Sequence, residues 1–308
     1  MKKSLIMLVL FVLSATVIHG QNLVPPIKTS EFTLQMSGYS QALWSNEPVL
    51  EHRSNTEWSS FITCFDLKTP SPRVKFYSEV EFHDIDDSDA NWLRKGFAEI
   101  TATDNMKLRL GRMLLGGGYV IPRSDYLETV HYPRVPYHVF GNGIQVEAKL
   151  GNEWTLIGDV TGQTTVKFYD KTVFQKPEMS VWLSKSFTEH LAVSATAEIA
   201  QSLQFFGVDW DYKPIDRLHI KGALYVGGDG GWYNGGYVFL GYKLLNHIEL
   251  HTQIDYRVSP RDGNDAIWTN GVRIWSWKDR VELTADYESV FSGRGAESTL
   301  FARLQIRF

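Results

Sequence analysis

The chain ends, from Ser298 to Phe308, on the segment STLFARLQIRF. Leu300, Ala302, Leu304, Ile306 and Phe308 share one parity, while Thr299, Phe301, Arg303, Gln305 and Arg307 share the other. Side chains of a strand point alternately to its two faces, so this is a strand with one apolar face and one mostly polar face carrying two arginines. The same two-residue period recurs upstream. Val74, Phe76, Val80 and Phe82 alternate with Lys75, Tyr77, Glu79, Glu81 and His83, and Met106, Leu108 and Leu110 stand against Lys107 and Arg109. Ile248, Leu250, Ile254 and Tyr256 stand against Glu249, His251, Asp255 and Arg257, and Val281, Leu283, Ala285 and Tyr287 against Glu282, Asp286 and Glu288. Similar runs predict about 16 strands, with 14 or 18 as alternatives.

Short connections alternate with longer ones. TPSPR, TDN, GNE, SFTEH, KPIDR, NH and KDR are tight, and the segments between them are mostly longer and rich in Gly and Asp. That rhythm fits an even-stranded antiparallel up-and-down barrel with short turns at one rim and longer loops at the other. The charges bear this out, because Glu79, Glu81, Lys107, Arg109, Glu147, Lys149, Asp159, Glu198, Lys221, Arg273 and Arg303 all oppose the apolar parity of their own strand. In lipid only a closed sheet satisfies every backbone group, so the apolar parity would face hydrocarbon and the charged one a wet lumen. A barrel of about 16 strands is wide enough for a water-filled channel, whereas about 8 would be filled by side chains. A soluble sandwich is the alternative, and it would have to bury the apolar parity under a second layer.

Residues 1–20 have the composition of a secretory signal peptide: Lys2 and Lys3, an apolar run from Leu5 to Leu13, then smaller residues to Gly20. The run is too short to span a bilayer, so cleavage near Gly20 would release residues 21–308 as one barrel domain. The formal net charge of −4 becomes more negative once the two lysines leave. No basic cluster suggests nucleic acid. Cys64 is the sole cysteine, which excludes an internal disulfide.

Taken together, the leader, the alternating runs, the turn rhythm and the final aromatic resemble the Gram-negative outer-membrane porin superfamily. The resemblance implies an outer-membrane location, contact with outer-membrane lipid and lipopolysaccharide, and passage of small hydrophilic solutes or ions. It also implies a possible homotrimer, with Phe308 part of the signal read by the barrel-assembly machinery. Residues 107–124, KLRLGRMLLGGGYVIPRS, are similar to a stretch of the phosphate-selective porin O and P family, where a basic strand carries a Gly before a Pro-containing loop. No anion site is carried over from it.

The long connection from about Gly116 to Gly141 holds Arg123, Asp125, Glu128, His131 and Arg134. Folded inward, such a loop would narrow the channel, and with Lys107, Arg109, Glu79, Glu81, Arg257 and Arg273 it would line a constriction. The alternative is an outward loop that contacts a neighbour or lipopolysaccharide. Trp44, Trp58, Trp92, Trp154, Trp210, Tyr212, Tyr256, Trp268 and Trp277 near strand ends suggest interfacial girdles. Asp84, Asp86, Asp87 and Asp89 are spaced like a calcium loop but lack its central Gly and final Glu, so no metal is expected. No nucleophile elbow, zinc spacing or phosphate loop occurs, so no catalytic residue or cofactor is assigned. A lipid-hydrolysing barrel and a plugged structural or adhesin-like barrel are the alternatives.

Overall fold

The computed structural model describes residues 26–29, 31–45, 56–71, 73–82, 91–115, 140–165, 173–199, 203–229, 233–259, 263–276, 280–292 and 295–307. Regular structure among them is entirely strand. The elements are β1 (Ile27–Lys28), β2 (Thr33–Ser45), β3 (Thr56–Lys68), β4 (Val74–Phe82), β5 (Asn91–Thr103), β6 (Met106–Leu114), β7 (Phe140–Leu150), β8 (Trp154–Thr165) and β9 (Val173–Thr188). They continue as β10 (Leu191–Ile199), β11 (Leu203–Ile215), β12 (Leu218–Asp229), β13 (Tyr233–Leu245), β14 (Ile248–Ser259), β15 (Gly263–Ser276), β16 (Val281–Ser292) and β17 (Gly295–Arg307).

Each strand from β2 to β17 pairs antiparallel with its sequence neighbours, and β17 pairs back onto β2 through Arg307↔Tyr39, Gln305↔Gln41 and Arg303↔Leu43. The ring is a closed sixteen-strand barrel, to which β1 adds a short pairing on β2. Closure removes both sheet edges, which is what a sheet without a water-facing rim needs. Amides beyond the tight turns continue the ladder along that rim. Lys149 N–H donates to Asn105 O at 2.7 Å, Lys243 to Arg217 O at 2.8 Å and Arg307 to Arg280 O at 2.8 Å.

Burial is inverted relative to a soluble protein. Glu79, Gln145, Glu178, Glu198, Thr284 and Gln305 are almost fully buried on the inner face, whereas Ile254, Leu224, Ile199 and Met179 stand more than half exposed on the outer one. The apolar parity is thus the outer wall of the barrel, as the alternation implies. Trp154, Trp210 and Tyr212 lie outward towards the tight-turn rim, and Trp44 and Tyr256 outward towards the other. Trp268 also faces outward, and its indole N–H donates to Thr252 Oγ1 at 2.9 Å, which satisfies its polar group. The side chains of Trp58 and Trp92, and all of Trp277, lie outside the described residues.

Several connections expected to be long are shorter than their composition suggests. Strands take in 162–165, 173–178, 227–229, 233–236 and 263–266, so that 200–202, 230–232, 260–262 and 293–294 separate the described strands at the loop end of the second half. Gly and Asp are poor strand formers alone, but the partner strand supplies the hydrogen bonds that hold them extended. Pro177 fits because the β8–β9 register slips between Thr161 and Gln163, leaving it in an unpaired bulge. In the first half, 46–55, 83–90, 115–139 and 166–172 separate the strands, and all of these but Leu115 lie outside the described residues.

A substitution tests the wall assignment. Ile254 sits mid-strand on the outer face between Val238 and Trp268. Ile254→Arg should cost about 2–4 kcal/mol of stability in bilayers, while the neutral swap Ile254→Met should fold like the parent. Urea titration of both variants in phospholipid vesicles gives the comparison. Equal midpoints would mean that this face does not meet hydrocarbon.

Candidate functional site: the charged lumen

The inner face carries two charged arcs. On the first, Arg109 of β6 is a hub. Its Nε donates to Glu99 Oε2 at 2.7 Å, one terminal nitrogen to Gln145 Oε1 at 2.7 Å and the other to Glu147 Oε2 at 2.6 Å. These partners come from β5 and β7 because Glu99 and Gln145 are its direct register neighbours. Lys75 lies 3.2 Å from Glu99, and Lys107 lies 3.9 Å from Glu99 and 3.7 Å from Glu147. The planar fork of an arginine suits this role, since it meets several acceptors at fixed angles. Farther along the barrel wall, Tyr77 O–H and Lys95 Nζ both donate to Glu79 Oε2 at 2.9 Å. Phe97 joins the two groups, stacked on Tyr77 at 5.4 Å and lying beneath the Arg109 guanidinium at 5.7 Å.

The second arc lies across the lumen, since β14 is eight strands from β6 in a ring of sixteen. Arg273 donates to Glu249 at 2.8 Å near the tight-turn rim, and Arg257 to Asp265 at 3.1 Å near the loop rim. Arg303 and Arg307 both reach Glu282, at 3.2 and 3.0 Å. His251 Nε2 meets Asp286 Oδ1 at 2.8 Å with both side chains essentially inaccessible. That contact spans a strand. His251 pairs with Gly271 and Gly271 with Asp286, so the imidazole reaches its carboxylate over a position with no side chain. Among the described residues of β14 to β17, acidic groups outnumber basic ones on this face: Glu249, Asp255, Asp265, Glu282, Asp286, Glu288 and Glu297 against Arg257, Arg273, Arg303 and Arg307.

Lys107, Arg109 and Glu79 therefore share one arc, whereas Arg257 and Arg273 occupy opposite ends of the other. Glu81 falls at a lumen position of the β4 register, and its side chain lies outside the described residues. So do Arg123, Asp125, Glu128, His131 and Arg134, the acidic loop of Asp84, Asp86, Asp87 and Asp89, and Phe308.

Sequence reasoning missed an aromatic patch between the arcs. Phe205, Tyr225, Tyr237 and Phe239 are buried on the inner face of β11 to β13. Phe205 stacks on Tyr225 at 6.0 Å, and Phe239 lies 6.0 Å from His219 and 5.9 Å from His251. Lumen-facing glycines make room for these rings. A Cβ at Gly207 would stand 3.1 Å from the Phe205 ring, and one at Gly235 2.6 Å from the Tyr225 hydroxyl. The readable signal was aromatic and glycine residues sharing the charged parity.

No protein-family model matches the chain, and no curated protein matches it. Solved structures do. OmpT of Vibrio cholerae, an outer-membrane protein solved also in a trimer form, is 12% identical with a TM-score of 0.69, over 92% of this chain and 100% of its own. OmpF of Salmonella typhi in complex with daunomycin is 10% identical with a TM-score of 0.69, over 92% and 100%. A mutant of the Rh. blastica porin is 10% identical with a TM-score of 0.65, over 89% and 100%. The likeness is one of barrel fold, and none of these structures points to the phosphate-selective family.

Proposed function

We propose that the chain is an outer-membrane porin through which small hydrophilic solutes or ions diffuse passively. The observation that carries this reading is a closed ring of sixteen strands whose charged parity points inward and whose apolar parity points outward. Filtering is steric and electrostatic, with no turnover chemistry. Lys107, Arg109, Glu79, Glu81, Arg257 and Arg273 line the channel in this reading, with Arg123, Asp125, Glu128 and Arg134 at its constriction. The acidic excess on β14 to β17 favours cations. Arg109 is engaged by two carboxylates, which argues against a dedicated phosphate site on that strand. Residues 1–20 direct export, 21–308 form the barrel, and Phe308 is read by the barrel-assembly machinery. The outer wall meets outer-membrane lipid and lipopolysaccharide, and the trimer form of a structural neighbour supports a homotrimer.

The test is single-channel current from the folded protein in a planar bilayer under a salt gradient. Stable steps with a reversal potential on the cation side are expected. Silence from folded protein, followed by release of fatty acid from phospholipid, would replace the porin reading with a lipid-hydrolysing barrel.

A further inference from the structure

Among the described side chains of the barrel strands, the register places two charges on the outer face, Arg112 and Lys185. Arg112 lies near the loop rim, where it donates to Leu93 O at 2.7 Å. Lys185 lies near the tight-turn rim, between Trp154 of β8 and Val193 of β10, with Trp210 of β11 next in the same row. Its ammonium stands 5.2 Å from the Trp154 ring and 4.8 Å from the Phe187 ring. No carboxylate among the described residues pairs with it. Aromatic faces hold a lysine in place while leaving its N–H donors free for an acceptor.

Directly towards the membrane centre from this row is an apolar groove of about 630 Å³. Its floor is narrow because β10 places Ala195 and Ala197 there, and its sides are Leu183 and Val181 on β9 and Val208 and Phe206 on β11. Leu224 and Val226 of β12 extend the far side. The Trp210 ring lies over Gly222, which brings the indole down at the groove's rim-side end.

We propose that this is a binding site for an anionic phospholipid, with an acyl chain in the groove and the phosphate on Lys185. The match is one of charge and depth. A lysine on the outer wall is tolerated near the interface and not at the midplane, and it sits where a phosphate would. Small residues let a chain lie close to the sheet and gain contact along its length, while tryptophans occupy headgroup level on either side. The proposal rests on the outer face meeting a membrane.

The experiment is native mass spectrometry of the folded protein released from nanodiscs of equal phosphatidylglycerol and phosphatidylcholine. The parent should retain more phosphatidylglycerol, and Lys185→Gln should lose about fivefold of that excess with phosphatidylcholine unchanged. Lys149→Gln, on the lumen side of the same rim, should keep it. Ala195→Phe with Ala197→Phe, which fills the groove, should lower retention of both lipids. Equal retention by the parent and Lys185→Gln, or an equal loss in Lys149→Gln, would overturn the site. So would a groove-filled variant that holds its lipid while its oligomers fall apart, since the groove would then belong to a second copy. A parent that enters no nanodisc at all would instead defeat the membrane reading on which the site depends.

Discussion

Gly271→Ala is expected to destabilise the barrel by about 3 kcal/mol, the cost of forcing apart a buried, hydrogen-bonded His–Asp contact. An alanine is normally welcome in a strand where glycine is not, so the backbone preference alone predicts a gain. The structure reverses the sign. A Cβ at position 271 would collide with the Asp286 carboxylate and the His251 imidazole, which meet at 2.8 Å across that strand. Neither can swing away into water, because their side chains are 0% and 1% exposed, and Phe239 stacks on His251 at 5.9 Å. Gly158→Ala is the control. It faces outward with nothing nearer its Cβ than Ser180 O at 4.0 Å, so its effect should stay within about 0.5 kcal/mol. Denaturant midpoints in vesicles would measure both. Two small, similar shifts would mean that the His251–Asp286 contact contributes nothing to the fold.

The second large effect is expected on ion selectivity. Arg109→Ala takes one positive charge from the first arc and leaves Glu99 and Glu147 with Lys75 and Lys107 as their remaining cations. One charge a few ångströms from a permeating ion in water is worth about 1 kcal/mol, and its field reaches about 10 Å at 0.1 M salt. The cation-to-anion permeability ratio should therefore rise about fivefold at low salt, read from the reversal potential, and the rise should fade at 1 M salt. Arg109→Lys should restore the charge but not the fork, giving near-parental selectivity with reduced stability. If the reversal potential of Arg109→Ala equals the parent's, Arg109 does not face the ion path.

Much of this was legible because a strand's period is local. Which residues of the segment 248–257 share a face follows from their order along the chain, and the structure places Ile254 and Tyr256 outward and Glu249, His251 and Asp255 inward as that order implies. The tight turns were legible for the same reason. Loop lengths were not, because Gly227 and Gly235 look like loop residues until a partner strand pairs them. Nor was Lys185, whose place on the outer wall depends on the β8–β9–β10 register and not on its neighbours in sequence.

By itself, the sequence determined that the chain makes strands, about how many, and which face of each is charged. Those properties depend on residues one or two apart. Which acid meets which base was decided by register and closure: Arg109 with Glu147, His251 with Asp286 over a glycine, Lys185 beside Trp154, and Gln41 with Gln305 across the seam that closes the ring. Such contacts join residues on different strands, from 31 to 264 positions apart. They exist only once the interstrand hydrogen bonds have set the stagger of the whole barrel, and that stagger is a property of all sixteen strands together.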